Sequence, residues 1–464
     1  MSRITVDFSK TLRKMKPMHG VDNGPWTCDF TADARPFYKE AGLPIARLHD
    51  TEYPFGCGEF VDLDCIFKNF NADENDPANY NFAMTDLYIQ AIVECGTKVI
   101  YRLGCTIEHQ PVKVHIGPPA DYAKWARIAE HIIRHYNEGW ANGYHWDLRY
   151  WEIWNEPNHA EQDRKMWGGS AEDFARFYDT VSTYLKKCFP DYKIGGPAFS
   201  NPESEFVHRF FTELTKDGNH PPMDFYSWHG YIDSVEESVR RAGAADKVLQ
   251  QYGYFGIESI YDEWNYVKSW GDMATNYNVI QNQKGMALDV AVMCAMQSTS
   301  CTAACYYDAQ LKFAGGWCGL FKRDFSKHRN GGSTGVVPKK PFYAFKAFNE
   351  VYRLGAMDTE AEIGTQRENI ADQVQMEIEG EYLYGVAARS YDGKKGAILV
   401  SNYRDLELPQ EPHEIHFNLK GFEGKKIHLN MVDEGHDLER IMTVPAGDFT
   451  FRLEPDCVLL AIIE

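Results

Sequence analysis

The run Tyr150-Trp151-Glu152-Ile153-Trp154-Asn155-Glu156-Pro157-Asn158 couples an apolar strand pattern to an abrupt Asn-Glu-Pro stop, which sets one carboxylic acid beside one amide at a strand end. A second strand pattern, Ser259-Ile260-Tyr261-Asp262-Glu263-Trp264-Asn265, delivers another carboxylate about a hundred residues later. Two carboxyl groups facing each other across a sugar can cleave a glycosidic bond, and Glu156 and Glu263 are the candidate pair. The acid must hold its proton near neutral pH, which partial burial and an anionic neighbour both promote, and Glu156 suits that role. Asn155 can hydrogen-bond the sugar 2-hydroxyl, a contact that strengthens in the transition state. Pro157 removes a ladder donor where the acid must project. Glu263 must instead stay ionised, so it is expected among donors and near water.

Other strand ends add groups to the same mouth. The run Asp224-Phe225-Tyr226-Ser227-Trp228-His229-Gly230-Tyr231 brings His229 and Tyr231, either of which can bond a carboxylate or a sugar hydroxyl. Ala46-Arg47-Leu48-His49-Asp50 brings Arg47 and His49. Arg47 could hold Asn155 or Glu263 in position or belong to a structural ion pair, and His49 could contact an outer hydroxyl. Alternation along a strand points Asp262 away from Glu263, and Glu152 is expected in the barrel interior rather than at the chemistry. Glu108, just past the third strand, is an acid near the mouth without an assigned role.

These side chains need a frame that gathers distant strand ends. Short β-branched or aromatic runs alternate with amphipathic helical patterns, the signature of repeated βα units. Eight strands are predicted, at 15–21, 44–49, 98–103, 149–154, 192–196, 224–229, 258–263 and 302–307. The runs at 121–133 and 171–181 have apolar residues at three- and four-residue spacing, with Asp121 and Ser170 as N-caps. Eight such units close into a (β/α)8 TIM barrel, whose chemistry sits at the carboxyl ends of the strands. Glu156 would then close the fourth strand and Glu263 the seventh. After a helix at 341–353 the texture changes to alternating strands with Gly-containing turns, read as a small C-terminal β-sandwich. The expected division is 1–14 as a strand joining the sandwich, 15–354 as the catalytic barrel and 355–464 as the sandwich, which by default caps the barrel.

Composition narrows the classes. A net charge of −19 without clustered Lys and Arg argues against a nucleic-acid partner. Aromatic residues make up 14% of the chain, with 27 Tyr and 11 Trp, more flat apolar surface than a core requires and suited to the faces of sugar rings. The first residues lack an apolar signal core and no stretch approaches a membrane span, so the eleven Cys are expected as free thiols in a cytoplasmic protein without a membrane partner. No Cys pair has the CxxC form, and only His49 and His229 offer imidazole at strand ends, so neither metal nor cofactor is expected. A homo-oligomer is left open.

Trp151-Glu152-Ile153-Trp154-Asn155-Glu156-Pro157-Asn158, with Trp167 downstream, the helix at 174–187 and Lys193-Ile194-Gly195-Gly196-Pro197-Ala198, resembles glycoside hydrolase family 39. The resemblance runs over about 19–321 and is densest between 150 and 200. It implies a retaining (β/α)8 glycosidase with Glu156 as acid/base, Glu263 as nucleophile, Asn155 on the 2-hydroxyl, and His49, His229 and Tyr231 around the sugar at subsite −1. Two features differ from the family's β-xylosidases. The run Tyr261-Asp262-Glu263-Trp264-Asn265 is closer to the nucleophile strand of family 51 arabinofuranosidases, and the eighth strand, Cys305-Tyr306-Tyr307-Asp308-Ala309-Gln310, lacks a Trp and an acidic pair. Trp317 is expected to supply that aromatic wall from the following loop. The resemblance implies an exo-acting enzyme releasing β-xylose from the non-reducing end of a short oligosaccharide by double displacement. The alternatives are an α-L-arabinofuranosidase or another exo-glycosidase with the same pair, or a carbohydrate-binding barrel without catalysis.

Overall fold

In a closed barrel every second residue of a strand points to the axis, and here those positions change character with height. Ile45, Ile100, Phe225, Ile260 and Ala303, each among the first three residues of its strand, form a separate buried cluster with Cys305 from near the end of the eighth strand, and Tyr150 packs against it. Two residues further along the same strands stand Arg47, Arg102, Glu152, Ser227 and Asp262, all fully buried. The barrel is therefore apolar at its base and ionic above, and the ionic layer underlies the candidate site.

The computed structural model describes residues 2–25, 32–51, 59–107, 112–159, 165–310, 317–324, 326, 335–354, 370–405 and 410–464. The chain begins with strand β1 (Ser2–Lys14) and then enters the barrel strands β2 (Gly20–Asp22), β3 (Ile45–Arg47), β4 (Lys98–Leu103), β5 (Tyr150–Ile153), β6 (Lys193–Phe199), β7 (Phe225–Ile232), β8 (Glu258–Tyr266) and β9 (Cys301–Tyr306). These eight pair in parallel in that order, and β2 pairs with β9 to close the ring. Helices α1 (Arg35–Ala41), α2 (Leu63–Ile66), α3 (Ala83–Val93), α4 (Tyr122–Glu138), α5 (Ala171–Cys188), α6 (Glu205–Leu214), α7 (Val235–Gln251), α8 (Met273–Ile280), α9 (Gln283–Met296) and α10 (Lys340–Tyr352) cover the outside. The protein has the (β/α)8 barrel class read from the sequence, together with a separate β-sheet domain.

Local chemistry explains where the helices start. The Asp121 side chain accepts from the Lys124 N–H, and Ser170 forms a reciprocal capping box with Asp173 ahead of α5. The first barrel strand is shorter than the predicted 15–21. Pro17 has no N–H to give a ladder, and the Lys16 ammonium donates instead to the carbonyls of Met296, Thr299 and Cys301, which pins this stretch to the end of α9.

Beyond the short hairpin β10 (Phe321–Arg323) and β11 (Val336–Pro338), the chain builds β12 (Asp372–Glu379), β13 (Leu383–Arg389), β14 (Gly396–Asn402), β15 (His413–Lys420), β16 (Lys426–Val432), β17 (Asp437–Pro445), β18 (Phe449–Leu453) and β19 (Cys457–Ile463). With β1 they form one nine-stranded sheet, in which β1 lies between β12, antiparallel, and β15, parallel. A Cβ on Gly396 in β14 would stand 2.9 Å from the Phe8 ring of β1, although three strand spacings, roughly 14 Å, would separate them in a flat sheet. The sheet therefore curls over its own core of Ile4, Val6, Phe8, Ile398, Val400, Phe417 and Leu429. Its other face, with Ala397, Leu399, Val458 and Leu460, joins the core of the barrel. There it covers α9, of whose fourteen residues eleven are buried, and the Ser401 hydroxyl donates to the Ala287 carbonyl.

Candidate active site

Arg47 is the centre of the ionic layer and is fully buried. Its Nε lies 2.7 Å from Glu152 and 3.0 Å from Asp262. One Nη donates to Asp22 at 3.1 Å and to Glu263 at 3.0 Å, and the other donates to the Asn155 amide oxygen at 2.6 Å. A planar five-donor fork suits this task, because it holds several acceptors at fixed angles. Burial works against the guanidinium charge, but Glu152, Asp262, Asp22 and Glu263 together outweigh it and raise Arg47 well above its ordinary value. One cation does not neutralise four buried carboxylates. Burial accordingly pushes Asp22 and Asp262 well above the usual carboxylate range, whereas Glu152, desolvated but held by Arg47, falls below it.

The two candidate acids lie above this layer on opposite sides of the ring. Glu156 follows β5 at φ 44°, and its backbone N–H is bonded to the Ala198 carbonyl beyond the adjacent strand position. A positive φ turns the chain so that the side chain leaves the strand direction and faces the mouth. Oε1 of Glu156 lies 2.9 Å from Nδ1 of His229. Glu263 is in β8, where Asp262 is an extra residue: Trp228 pairs with Tyr261 and His229 with Glu263. This bulge turns two consecutive carboxylates inward. The sequence expectation that alternation points Asp262 away is thereby corrected, because both Asp262 and Glu263 contact Arg47.

Glu263 accepts from Arg47 on Oε2 and from the Tyr231 hydroxyl on Oε1, the latter at 2.5 Å. It is 5% exposed, less open to water than expected, since the site is walled by aromatic rings. Burial raises its carboxyl above the ordinary Glu value; His229, Arg47 and Tyr231 act in the opposite sense and Glu156 reinforces the rise. Burial also lowers His229 to about 4 and lifts Tyr231 well above its usual range, so a neutral imidazole and a neutral phenol flank the acids. An oxygen of Glu156, a nitrogen of His229 and an oxygen of Glu263 lie within 4.8 Å of one another. That triangle is the group of described residues able to hold a metal ion, but both Glu263 oxygens already face donors, one of them the Arg47 cation.

The remaining predicted residues line the same mouth. Asn155 is 1% exposed; its Oδ1 is taken by Arg47 and its Nδ2 has no partner among the described residues. His49 is 3% exposed, with Nε2 3.3 Å from Asp50 Oδ1, and burial holds it well below its ordinary value. Trp317 stands in an aromatic wall, its ring 5.4 Å from Tyr231, 5.9 Å from Tyr307 and 6.1 Å from Trp270. Glu108 lies outside the described residues. Sequence reading passed over Asp22, Asp50, Tyr307 and Trp270. Tyr307 and Asp22 sit one residue after and at the end of barrel strands, a signal that was available; the 46%-exposed Trp270 lies in a loop with no pattern to mark it.

With this geometry established, similarity to known proteins is informative. The model of glycosyl hydrolases family 39 matches residues 2–251, a span that contains Glu156 and stops short of Glu263. A β-xylosidase of Caldicellulosiruptor saccharolyticus is 25% identical over 301 residues, which is 57% of this chain and 55% of that protein. The chain spans about half the length, or less, of the curated relatives it matches. Among solved structures, a glucosidase from Croceicoccus marinus has TM-score 0.75 at 18% identity, covering 100% of this chain and 98% of that one. A family 51 α-L-arabinofuranosidase from Thermotoga petrophila has TM-score 0.68 at 16% identity, covering all of both chains. At these identities the two structures speak for the fold alone. The family match covers more than half of the chain and includes the strand end that carries Asn155 and Glu156: this protein belongs to family 39 of the glycosyl hydrolases.

Proposed function

We propose that the protein is a retaining, exo-acting glycosidase that releases a sugar, β-xylose first, from the non-reducing end of short oligosaccharides. One observation carries the reading: carboxylate oxygens of Glu156 and Glu263 come within 4.8 Å of each other. Carboxyl groups about 5 to 5.5 Å apart suit direct attack on the anomeric carbon, whereas about 6.5 to 9.5 Å leaves room for the water of an inverting enzyme. In this reading Glu263, oriented by Arg47 and Tyr231, attacks the anomeric carbon while Glu156 protonates the departing oxygen. Glu156 then takes a proton from water, which displaces Glu263 and restores the anomeric configuration. Asn155, fixed by Arg47, presents its unpartnered Nδ2 to the 2-hydroxyl. The name of the Caldicellulosiruptor relative supports xylose. The nine described cysteines are free thiols, which supports a reducing, cytoplasmic setting.

The test is a panel of aryl β-xyloside, α-L-arabinofuranoside, β-glucoside and β-galactoside, with a 2-fluoro derivative of the best substrate. Labelling of Glu263 and a product of retained configuration are expected. An inverted product sinks the mechanism, and β-xyloside left intact while another glycoside is cleaved sinks the choice of sugar. The arabinofuranosidase alternative is favoured by one observation, the Tyr261-Asp262-Glu263-Trp264-Asn265 run, and is read from the same panel.

A further inference from the structure

The end of the pocket remote from Glu156 holds a carboxylate that the proposed reaction does not use. Around the ring, β5 is the fourth strand and β9 the eighth, so the residue that follows β9 faces Glu156 across the full diameter. That residue is Tyr307. Its hydroxyl donates to Asp50 Oδ2, three residues beyond β3, and its ring centre lies 6.3 Å from those of both His49 and Tyr231. Tyr231 in turn donates to Glu263. Asp50 is thus two tyrosines away from one candidate catalytic carboxylate and at the opposite end of the site from the other. Its side chain keeps 14% exposure, whereas the nearby carboxylates Asp22 and Asp308 are fully buried. From Ala309 to Arg323 the sequence contains no Asp or Glu, so beyond the buried Asp308 the loop after β9 brings no acid.

We propose that Asp50 is a specificity-determining residue, which with His49 grips two neighbouring hydroxyls of the terminal sugar at the end of the ring remote from the scissile bond. A carboxylate has about four lone-pair positions, enough to accept from the Tyr307 hydroxyl and from two adjacent sugar hydroxyls together. His49 Nε2, 3.3 Å from Asp50 Oδ1, fixes the side of the carboxylate nearest β3. A sugar extended by a further residue at those hydroxyls would meet a charged acceptor with no donor to offer it, so the pocket takes a chain end. The inference rests on the glycosidase reading and adds to it the device that makes the pocket exo-acting.

Asp50 has φ 50°, a left-handed conformation that Asn and Gly adopt readily, so Asp50→Asn and Asp50→Gly change the acceptor without straining the backbone. Both variants and the wild type are assayed on the aryl glycoside that the wild type cleaves fastest and on its 3-deoxy and 4-deoxy analogues. The wild type is expected to lose about 10- to 100-fold in kcat/KM on removal of a gripped hydroxyl, as for a hydrogen bond to a charged group. The variants are expected to lose a similar factor on the parent sugar and to cleave the deoxy sugars about as fast as the wild type does. An equal loss on parent and deoxy substrates, or none on either, overturns the proposal. A crystal of wild type with the released sugar reads the same point without a variant: Asp50 within about 3.2 Å of two ring hydroxyls is expected, and a sugar bound without that contact overturns it. Failure of the wild type on every glycoside of the panel would bring down the glycosidase reading and this inference with it, whereas cleavage indifferent to the deoxy positions brings down only the latter.

Discussion

Arg47 holds Glu263 and Asn155 with its two Nη atoms, while Glu152 and Asp262 hold its Nε. Replacing it by Met leaves buried carboxylates without their cation, which costs about 3 to 5 kcal/mol; a lowered unfolding midpoint is the readout. Arg47→Lys keeps the charge but not the fork, so it should retain more stability than Met and still lose turnover. Equal turnover in Arg47→Lys and wild type would show that the geometry of the fork does not matter. For the candidate acids, Glu263→Gln should abolish turnover, and Glu156→Ala should slow natural oligosaccharides far more than aryl glycosides with good leaving groups. The pH profile carries a further expectation. Burial is the largest influence on Glu263 and raises it, so the acid limb of kcat/KM should lie above the ordinary Glu value. An acid limb at or below that ordinary value would mean that the donors Arg47 and Tyr231 outweigh burial.

At the scale of elements, the β8 bulge decides which residues face the site. Deleting Asp262 would restore regular pairing with β7 and leave Glu263 opposite His229, still facing the mouth, so that variant should lose the Asp262 contact to Arg47 yet keep measurable turnover on activated substrates; complete inactivity would show that the bulge itself positions Glu263. A cheaper element test is Ser170→Ala, which breaks the capping box of α5 and should cost about 1 kcal/mol in thermal unfolding with kcat unchanged. The same contrast explains what the sequence disclosed. Period-two and helical spacing revealed eight strands, their order and the caps at Asp121 and Ser170, because these are local consequences of side-chain direction. Asp262 was misdirected because a bulge depends on how two strands shift against each other, and no spacing within Ser259–Asn265 records it. Asp50 and Tyr307 were passed over because their contact joins residues 257 positions apart, from the second and eighth strands, through a loop and a strand end. The convergence of Arg47 on Asn155 and Glu263 could be listed as an option from strand ends, but choosing it needed the distances.

On the scale of the whole molecule, the barrel and one face of the sheet share a single buried core. His19 is fully buried there, 3.3 Å from the Asn349 amide oxygen and packed against Phe348 and Tyr352 of α10. Burial lowers it to about 3, so the folded protein keeps it neutral while the unfolded chain protonates near the ordinary value of about 6.5. Its contribution is therefore complete above about pH 6.5 and is lost as the pH falls from there toward 3. His19→Phe should narrow its midpoint deficit, or reverse it, over that window; parallel curves for variant and wild type would refute the linkage. The central place of β1 in the sheet has a consequence for synthesis. β1 needs β12 and β15, which leave the ribosome more than three hundred residues after it, so its edges stay open while the intervening barrel takes shape. Vectorial, one-domain-at-a-time folding is closed to this pair of units: β1 must be kept from straying until β12 and β15 arrive, and a growing polypeptide stalled before residue 420 should need a chaperone to stay in solution.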